Sequence, residues 1–302
     1  MIVKKIVLFH MLFVCFLRFL IKFANMILYP NVKFNLGLKV LRKRPDGYHD
    51  LETLFVPYPG IADCLEIVTG DDYSRTLAGL KERYPSLTQA ISDDGKLMIT
   101  LARREGVDWD PLKDLTAKAY FLLADNFDLP PMKIYLEKLS PVGAGLGGGS
   151  SDAAFALRMM ATLANLNLTD AQLAVYAARL GSDCAFFVYN TPMFGTGRGD
   201  ILEPYPLDLS GYRIEVVVPE GIAVSTADAY RGIVPCDTGA PLKEILRQPV
   251  ASWKETLEND FEKTVFAKYP ALASVKAELY EKGAVYAAMS GSGSACFGIF
   301  IG

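Results

Sequence analysis

The stretch PVGAGLGGGSSD at residues 141–152 places five glycines in the seven positions 143–149 and then passes at once into helix-forming residues. Glycine loses more backbone freedom on ordering than any other residue, so such a cluster means that the backbone itself has a task. Wrapping amide groups around phosphate oxygens at the positive end of a helix is one such task. A Walker loop is excluded, because counting from Gly143 puts Gly149 where that motif has its lysine. Residues 143–148 satisfy the dinucleotide fingerprint GxGxxG, but that fold needs a second strand ending in an acidic residue about 20 positions on. Here two helical segments follow instead, through NLTDAQLAVYAARL. An ordinary flexible loop fits poorly with a strand and a helix flanking the cluster so tightly. The reading that remains is a loop holding a triphosphate by its amides and the helix dipole, with the hydroxyls of Ser150 and Ser151 near a metal ion. No lysine lies in the loop, so the cation that phosphoryl transfer requires must come from elsewhere in the chain.

The rest of the chain bounds the alternatives. At 302 residues, with 51% hydrophobic and 22% charged residues, it has the length of one large or two medium domains. A net charge of -3 with scattered lysines and arginines describes no nucleic-acid surface, although Arg42, Lys43 and Arg44 form a short basic run. Cys15, Cys64, Cys184, Cys236 and Cys296 are far apart and odd in number, which predicts free thiols in a reducing, cytoplasmic compartment. With His10 and His49 the only histidines, a His-rich zinc site is excluded. The first 25 residues are apolar but interrupted by Arg18 and lack a small-residue cleavage site. They read as an extension ahead of a true start at Met26, with a membrane anchor as the alternative, and membrane contact is not expected.

Apolar patterning predicts strands at 27–41, in LETLFVPY, CLEIVTG and KLMITLAR, and again in MKIYLEKL directly before the glycines. Helical spacing covers 115–127 and AAFALRMMATLANLN, the latter capped by Ser151 or Asp152, and a further helix runs from Thr169 to Leu180 with Gly181 as its C-cap. The turn-rich segment 191–211 suggests a domain boundary. Beyond it, strand and helix alternate to AVYAAMSGSGSACFGIF. The expected architecture is α+β in two lobes, residues 26–194 and 195–302.

PVGAGLGGGSSDA resembles the ATP-binding motif of the galactokinase, homoserine kinase, mevalonate kinase and phosphomevalonate kinase superfamily. VKFNLGLKVLRKRPDGYHDLETLF at 32–55, LGSDCAFFV at 180–188 and MSGSGSACFGIF at 289–300 narrow the resemblance to the family of 4-diphosphocytidyl-2-C-methyl-D-erythritol kinases. It runs in order from Met26 nearly to the end of the sequence. The resemblance implies a two-lobed α+β fold with ATP and substrate in the cleft between lobes. It implies ATP-dependent phosphorylation of the substrate's 2-hydroxyl, a step of non-mevalonate isoprenoid biosynthesis, with magnesium bridging the phosphates. Another small-alcohol kinase of the superfamily, or a ligand sensor on the same fold, are the alternatives.

Residue by residue, the resemblance puts Lys33 and Asp183 on the catalytic pair. Asp183 would accept or orient the hydroxyl proton, and Lys33 would offset the charge beside it. Singly, Asp183 could equally cap the next helix and Lys33 could be a solvated edge-strand lysine. The ATP loop comprises Pro141, Val142, Gly143, Ala144, Gly145, Leu146, Gly147, Gly148, Gly149, Ser150 and Ser151, with either serine the nearest protein oxygen to magnesium. On the substrate side stand Asn35, on the same strand face as Lys33, the cytosine-recognising Tyr48 and His49, and Thr226 with Tyr230, whose ring could alternatively be half-buried core. The basic run at 42–44 is either a solvated turn or an attraction for the diphosphate. Asp114 stands where the family usually has asparagine near the adenine pocket. Neither a metal-ligating cluster nor an oligomeric state follows from the sequence.

Overall fold

The computed structural model of the chain describes residues 27–302, so the extension at 1–25 and the alternative start at Met26 lie outside the described residues. A short strand β1 (Ile27–Leu28) leads into the long hairpin β2 (Asn31–Lys43) and β3 (His49–Ala62), followed by β4 (Cys64–Thr69). Next come α1 (Leu77–Arg83), β5 (Thr88–Ile91), β6 (Leu97–Arg103), α2 (Leu115–Ala124) and β7 (Met132–Lys138). The glycine cluster then opens α3 (Gly148–Leu163), with α4 (Asp170–Leu180) and α5 (Cys184–Tyr189) behind it. After β8 (Met193–Thr196), β9 (Ile201–Pro204) and β10 (Tyr212–Val217) come α6 (Thr226–Arg231), α7 (Leu242–Leu246), α8 (Trp253–Thr256), α9 (Phe261–Lys268) and α10 (Pro270–Glu281). The hairpin β11 (Tyr286–Met289) and β12 (Cys296–Ile301) completes the described elements.

These strands form three sheets, in the orders β1-β4-β7-β6-β5, β2-β3-β8-β9 and β10-β12-β11. Helices α2 to α5 cover one face of the first sheet, in a core running from Leu65 and Ile99 through Ala153 and Leu157 to Phe186. The small side chains of α3, Ala153, Ala154 and Ala156, let it lie close to its neighbours, so the helix behind the glycine loop is tightly held. A second core joins the halves of the chain: Phe34, Leu36 and Leu54 from the β2–β3 hairpin pack with Trp253, Tyr286 and Phe297. The Phe34 and Phe297 ring centroids lie 4.4 Å apart. Burying each such ring stabilises the junction by roughly 2–3 kcal/mol. Strand β8 spans the position expected as the lobe boundary and pairs with β3 through Thr53–Gly195, Leu54–Phe194 and Phe55–Met193.

Strand β2 is the edge of its sheet, yet its open side is covered. Leu146 accepts from the Lys33 amide, Glu258 from the Leu38 amide, and Val40 from the Cys236 amide. A bulge at Gly37 permits this, with φ +71 and its Cα so close to Leu242 and Leu257 that a Cβ would lie within 2.7 Å of each. Two end assignments differ from expectation. Helix α3 begins at Gly148, three residues before the expected cap Ser151, because Gly147 adopts φ +72 and turns the chain directly into the helix. Gly181 closes α4 in an extended conformation (φ -179), not the left-handed one, while Thr169 supplies a full capping box with Gln172 at the other end.

Candidate active site

Strand β7 delivers the chain to the glycine loop, which alternates left-handed glycines at Gly143, Gly145 and Gly147 with Ala144 and Leu146, both of which pack inward. Gly145 has no room for a side chain: a Cβ there would collide with the Ser290 carbonyl oxygen. The loop thus lies backbone to backbone against residues 290–295, where the Ala295 amide donates to Ala144 at 3.0 Å. Around Gly143 nothing lies within 4 Å of where a Cβ would be, and Gly149 meets only Leu115 at 3.8 Å, so this side of the loop is open. As at any helix start the amides of Gly148, Gly149 and Ser150 have no intrahelical acceptor, and Gly147 brings no side chain to cap them. These amides and the α3 dipole suit an anion.

The lysine missing from the loop arrives from β2. Lys33 is buried (3% exposed), and its ammonium donates to the Gly145 carbonyl at 3.0 Å and to Asn35 Oδ1 at 2.5 Å. It lies 3.4 Å from Asp183 Oδ2 and 5.4 Å from the centre of the Phe55 ring. The solvated edge-strand alternative is therefore excluded. Asp183 immediately precedes α5 but makes no capping bond; its side chain, 29% exposed, faces the lysine and the opening. The two residues that sequence spacing separates by 150 positions form one pair at the mouth of the glycine loop.

The other expected residues have separate partners. Asn35 lies beneath the lysine: its amide donates to Thr53 Oγ1 at 3.0 Å, and Thr53 in turn donates to the carbonyl of the Gly37 bulge at 2.6 Å. Asn35 is 3% exposed, so its contact is with Lys33. His49 stacks on Tyr230, centroids 4.8 Å apart and planes 19° apart, and Tyr230 also meets Phe261 edge-on. Burial pushes the Tyr230 hydroxyl up to about 12, and the negative charge of Asp183 adds to the shift. Tyr48 is exposed and lies under the Arg198 guanidinium at 4.9 Å, apart from the His49–Tyr230 stack. Thr226 Oγ1 is 3.1 Å from Ser292 Oγ, tying α6 to the loop at 290–295.

Arg42 and Arg44 are already engaged. Both hydrogen-bond to Asp50, at 2.5 and 2.8 Å, and Arg44 also reaches Asp46, so the basic run braces its own hairpin. The paired guanidiniums of Arg44 and Arg42 hold the Asp50 carboxyl below its usual range. Asp114 caps α2, accepting from the Thr116 amide at 2.9 Å and from Trp109 Nε1 at 3.1 Å. Its negative charge is thus committed to the helix end.

Sequence reasoning missed Thr53, Ser290 and Asn259. Ser290 Oγ accepts from the Asn35 backbone N–H and donates to the Gly145 carbonyl, both at 3.2 Å. Asn259 donates to Met289 and Gly291 at 2.8 Å each and so holds the 290–295 turn. Ser290 lies in the MSGSGS stretch and Thr53 in LETLF, where the motif was visible but not its task; Asn259 carried no signal. Among the described residues no group of three or more His, Cys, Asp or Glu side chains could hold a metal ion by itself. The buried Ser151 Oγ has no partner, however, and Ser150 lies at the same helix start.

A sheet-backed glycine loop opening a helix, with a lysine–aspartate pair from two other elements at its mouth, defines a small-molecule kinase of the GHMP class. Residues 114–191 match the GHMP kinases N terminal domain, and residues 242–301 match GHMP kinases C terminal. Relatives named 4-diphosphocytidyl-2-C-methyl-D-erythritol kinase include those of Bacteroides fragilis, 47% identical over 275 residues (91% of this chain, 92% of the relative), and Porphyromonas gingivalis, 42% identical over 277 residues (91% and 92%). A crystal structure of 4-(cytidine 5'-diphospho)-2C-methyl-D-erythritol kinase superimposes with a TM-score of 0.70 at 31% identity, covering 91% of this chain and 90% of that one. A mevalonate kinase structure, 13% identical with a TM-score of 0.55, shares the fold. The chain belongs to the 4-diphosphocytidyl-2-C-methyl-D-erythritol kinase family.

Proposed function

We propose that this chain transfers a phosphoryl group from ATP to the 2-hydroxyl of 4-diphosphocytidyl-2-C-methyl-D-erythritol, in non-mevalonate isoprenoid precursor synthesis. The observation that carries the reading is the Lys33–Asp183 pair, seated on the glycine loop through the Gly145 carbonyl. The donor's phosphates lie on the free amides of Gly148, Gly149 and Ser150, where the α3 dipole favours negative charge. Asp183 orients the acceptor hydroxyl and takes its proton as the new O–P bond forms, and ADP leaves with the electrons of the broken bond. Lys33 offsets the charge that spreads over the transferred group, from a buried position where its field is weakly screened. Its bonds to Asn35 and Gly145 leave it little freedom, so little reorganisation accompanies the transfer.

Magnesium, where bound, neutralises phosphate charge and aligns the phosphates, and the donor set fits it: Ser150 and the unpartnered Ser151 hydroxyl would supply protein oxygens while the phosphates supply the rest. On the acceptor side, the His49–Tyr230 stack offers an aromatic surface for a cytosine. No described helix is long and apolar enough to cross a membrane, and a cytoplasmic site of action is the reading consistent with the small, charged substrates.

The test is ADP release by the full chain with ATP and magnesium, offering the diphosphocytidyl substrate beside homoserine, galactose and mevalonate. Turnover of the cytidyl compound alone is expected. Turnover of another alcohol would keep the kinase chemistry and replace the acceptor, and silence with all four would leave a ligand sensor on a kinase fold.

A further inference from the structure

Behind the glycine loop lies a buried charge cluster that the transfer chemistry does not use. Lys138, the last residue of β7, donates to carboxylates on two sides, Asp63 and Asp152. The three side chains are 4%, 0% and 2% exposed. Asp63 lies between β3 and β4, anchored by its amide to the Pro30 carbonyl. It also accepts from the amides of Leu139 and Ser140, each at 2.6 Å, and from Ser140 Oγ at 2.7 Å. Asp152 is in the second turn of α3, and its Oδ1 has no partner. Ser140 immediately precedes the loop, and its hydroxyl fills the place that a Gly148 Cβ would take.

We propose that Asp63 and Lys138, with Asp152, are positioning residues for the phosphate loop: they clasp its entry at Ser140 to its exit in α3 and so set where the free amides of Gly148 to Ser150 stand. The inference rests on the reading of that loop as the ATP site. Removing a buried ion's partner is costly, so the buried Lys138 ammonium depends on the carboxyl groups that accept from it. The two carboxylates are not equivalent. Asp63 has both oxygens fully engaged and is the counter-charge that Lys138 requires. Asp152 offers Lys138 one oxygen and leaves the other unmatched, and its complete burial pushes its carboxyl well above the usual carboxylate range.

The experiment is equilibrium binding of a fluorescent ATP analogue with magnesium to the full chain, beside binding of the cytidyl substrate, with thermal unfolding recorded for each variant. Asp63→Asn and Lys138→Met are expected to weaken nucleotide binding about tenfold or more while cytidyl-substrate affinity stays within about twofold. Asp152→Ala, which removes the acceptor that Lys138 uses, is expected to lose about as much as Asp63→Asn. Should Asp63→Asn fail to fold, Ser140→Ala removes from the same clasp the hydroxyl that donates to Asp63 and accepts from Lys138, and is expected to weaken nucleotide binding about threefold or more. Folded Asp63→Asn or Ser140→Ala protein that binds nucleotide like the parent would overturn the proposal, as would equal losses for both ligands. Failure of the parent chain to bind the nucleotide would instead remove the ATP-loop reading, and the proposal with it.

Discussion

The ammonium of Lys33 lies 3.4 Å from Asp183 Oδ2 and at the same time donates to the Gly145 carbonyl at 3.0 Å. One side chain thereby joins the group that meets the acceptor hydroxyl to the loop that meets the donor phosphates. Misplacing that side chain affects both halves of the transfer, which explains why it is buried and bonded on several sides.

Asp183→Asn retains the shape of the site but cannot take the hydroxyl proton. The expected loss in kcat is about 10²- to 10⁴-fold, the range of a positioned general base, with nucleotide affinity within about threefold of the parent. Single-turnover rates beside nucleotide titration check this, and near-normal turnover would remove Asp183 from its role.

Thr53→Val tests the support beneath the lysine. It deletes the hydroxyl that accepts from Asn35 and donates to the Gly37 carbonyl, leaving a buried amide without its partner. A loss of about 1–3 kcal/mol in stability is expected, with a lower kcat and little change in the KM for ATP. Thermal unfolding and steady-state kinetics separate the two effects.

Gly145→Ala and Gly143→Ala differ in space but share a left-handed backbone, φ +76 and +74. At Gly143 only the conformational penalty applies, about 1–2 kcal/mol. At Gly145 the new Cβ also collides with the Ser290 carbonyl, so the loop and the 290–295 turn must part. Gly145→Ala is expected to be the less stable protein and to lose activity even where it folds; denaturant unfolding ranks the pair.

His49 gives the site an acid limit. Burial chiefly, and the positive charge of Lys43 in addition, lower its pKa from 6.5. The unfolded chain therefore binds the proton more readily than the folded one, and stability rises with pH within the window between the lowered value and 6.5. The contribution is complete above 6.5 and is lost as pH falls through the folded value. His49→Gln is expected to flatten this part of the stability profile and to shrink the acid-side loss of cytidyl-substrate affinity. Unfolding and substrate titrations from about pH 5 to 7.5 measure both.

The glycine loop and its flanking elements are legible in the sequence. Local chemistry determined the glycine loop, the strand before it and the helix after it: a run of left-handed positions accepts glycine, and an apolar helix must follow a sheet strand closely to bury its face. The motif resemblance singles out Lys33, Asp183, His49 and Tyr230, and the fold pairs Lys33 with Asp183 and stacks His49 on Tyr230. The start of α3 lies ahead of the serine or aspartate cap that the sequence suggests, because Gly147 makes the turn and brings no side chain to the first amides. The support that Asn35 gives to Lys33 was not legible, because alternation puts it on the face of Lys33 without saying what else occupies that face.

What only the tertiary structure decided are the relationships between segments distant in the chain. Thr53, Ser290 and Asn259 act by supporting backbone and side-chain groups contributed by other strands and turns, and no spacing encodes those partners. The pairing of Arg42 and Arg44 with Asp50, and the clasp from Asp63 through Lys138 to Asp152, likewise exist only once three sheets and their connections are packed. Backbone preference and apolar periodicity are local and can be read along one dimension. Burial of a charge beside its partner is a property of the packed core, because the low-dielectric surroundings that make the partner necessary are created by folding itself.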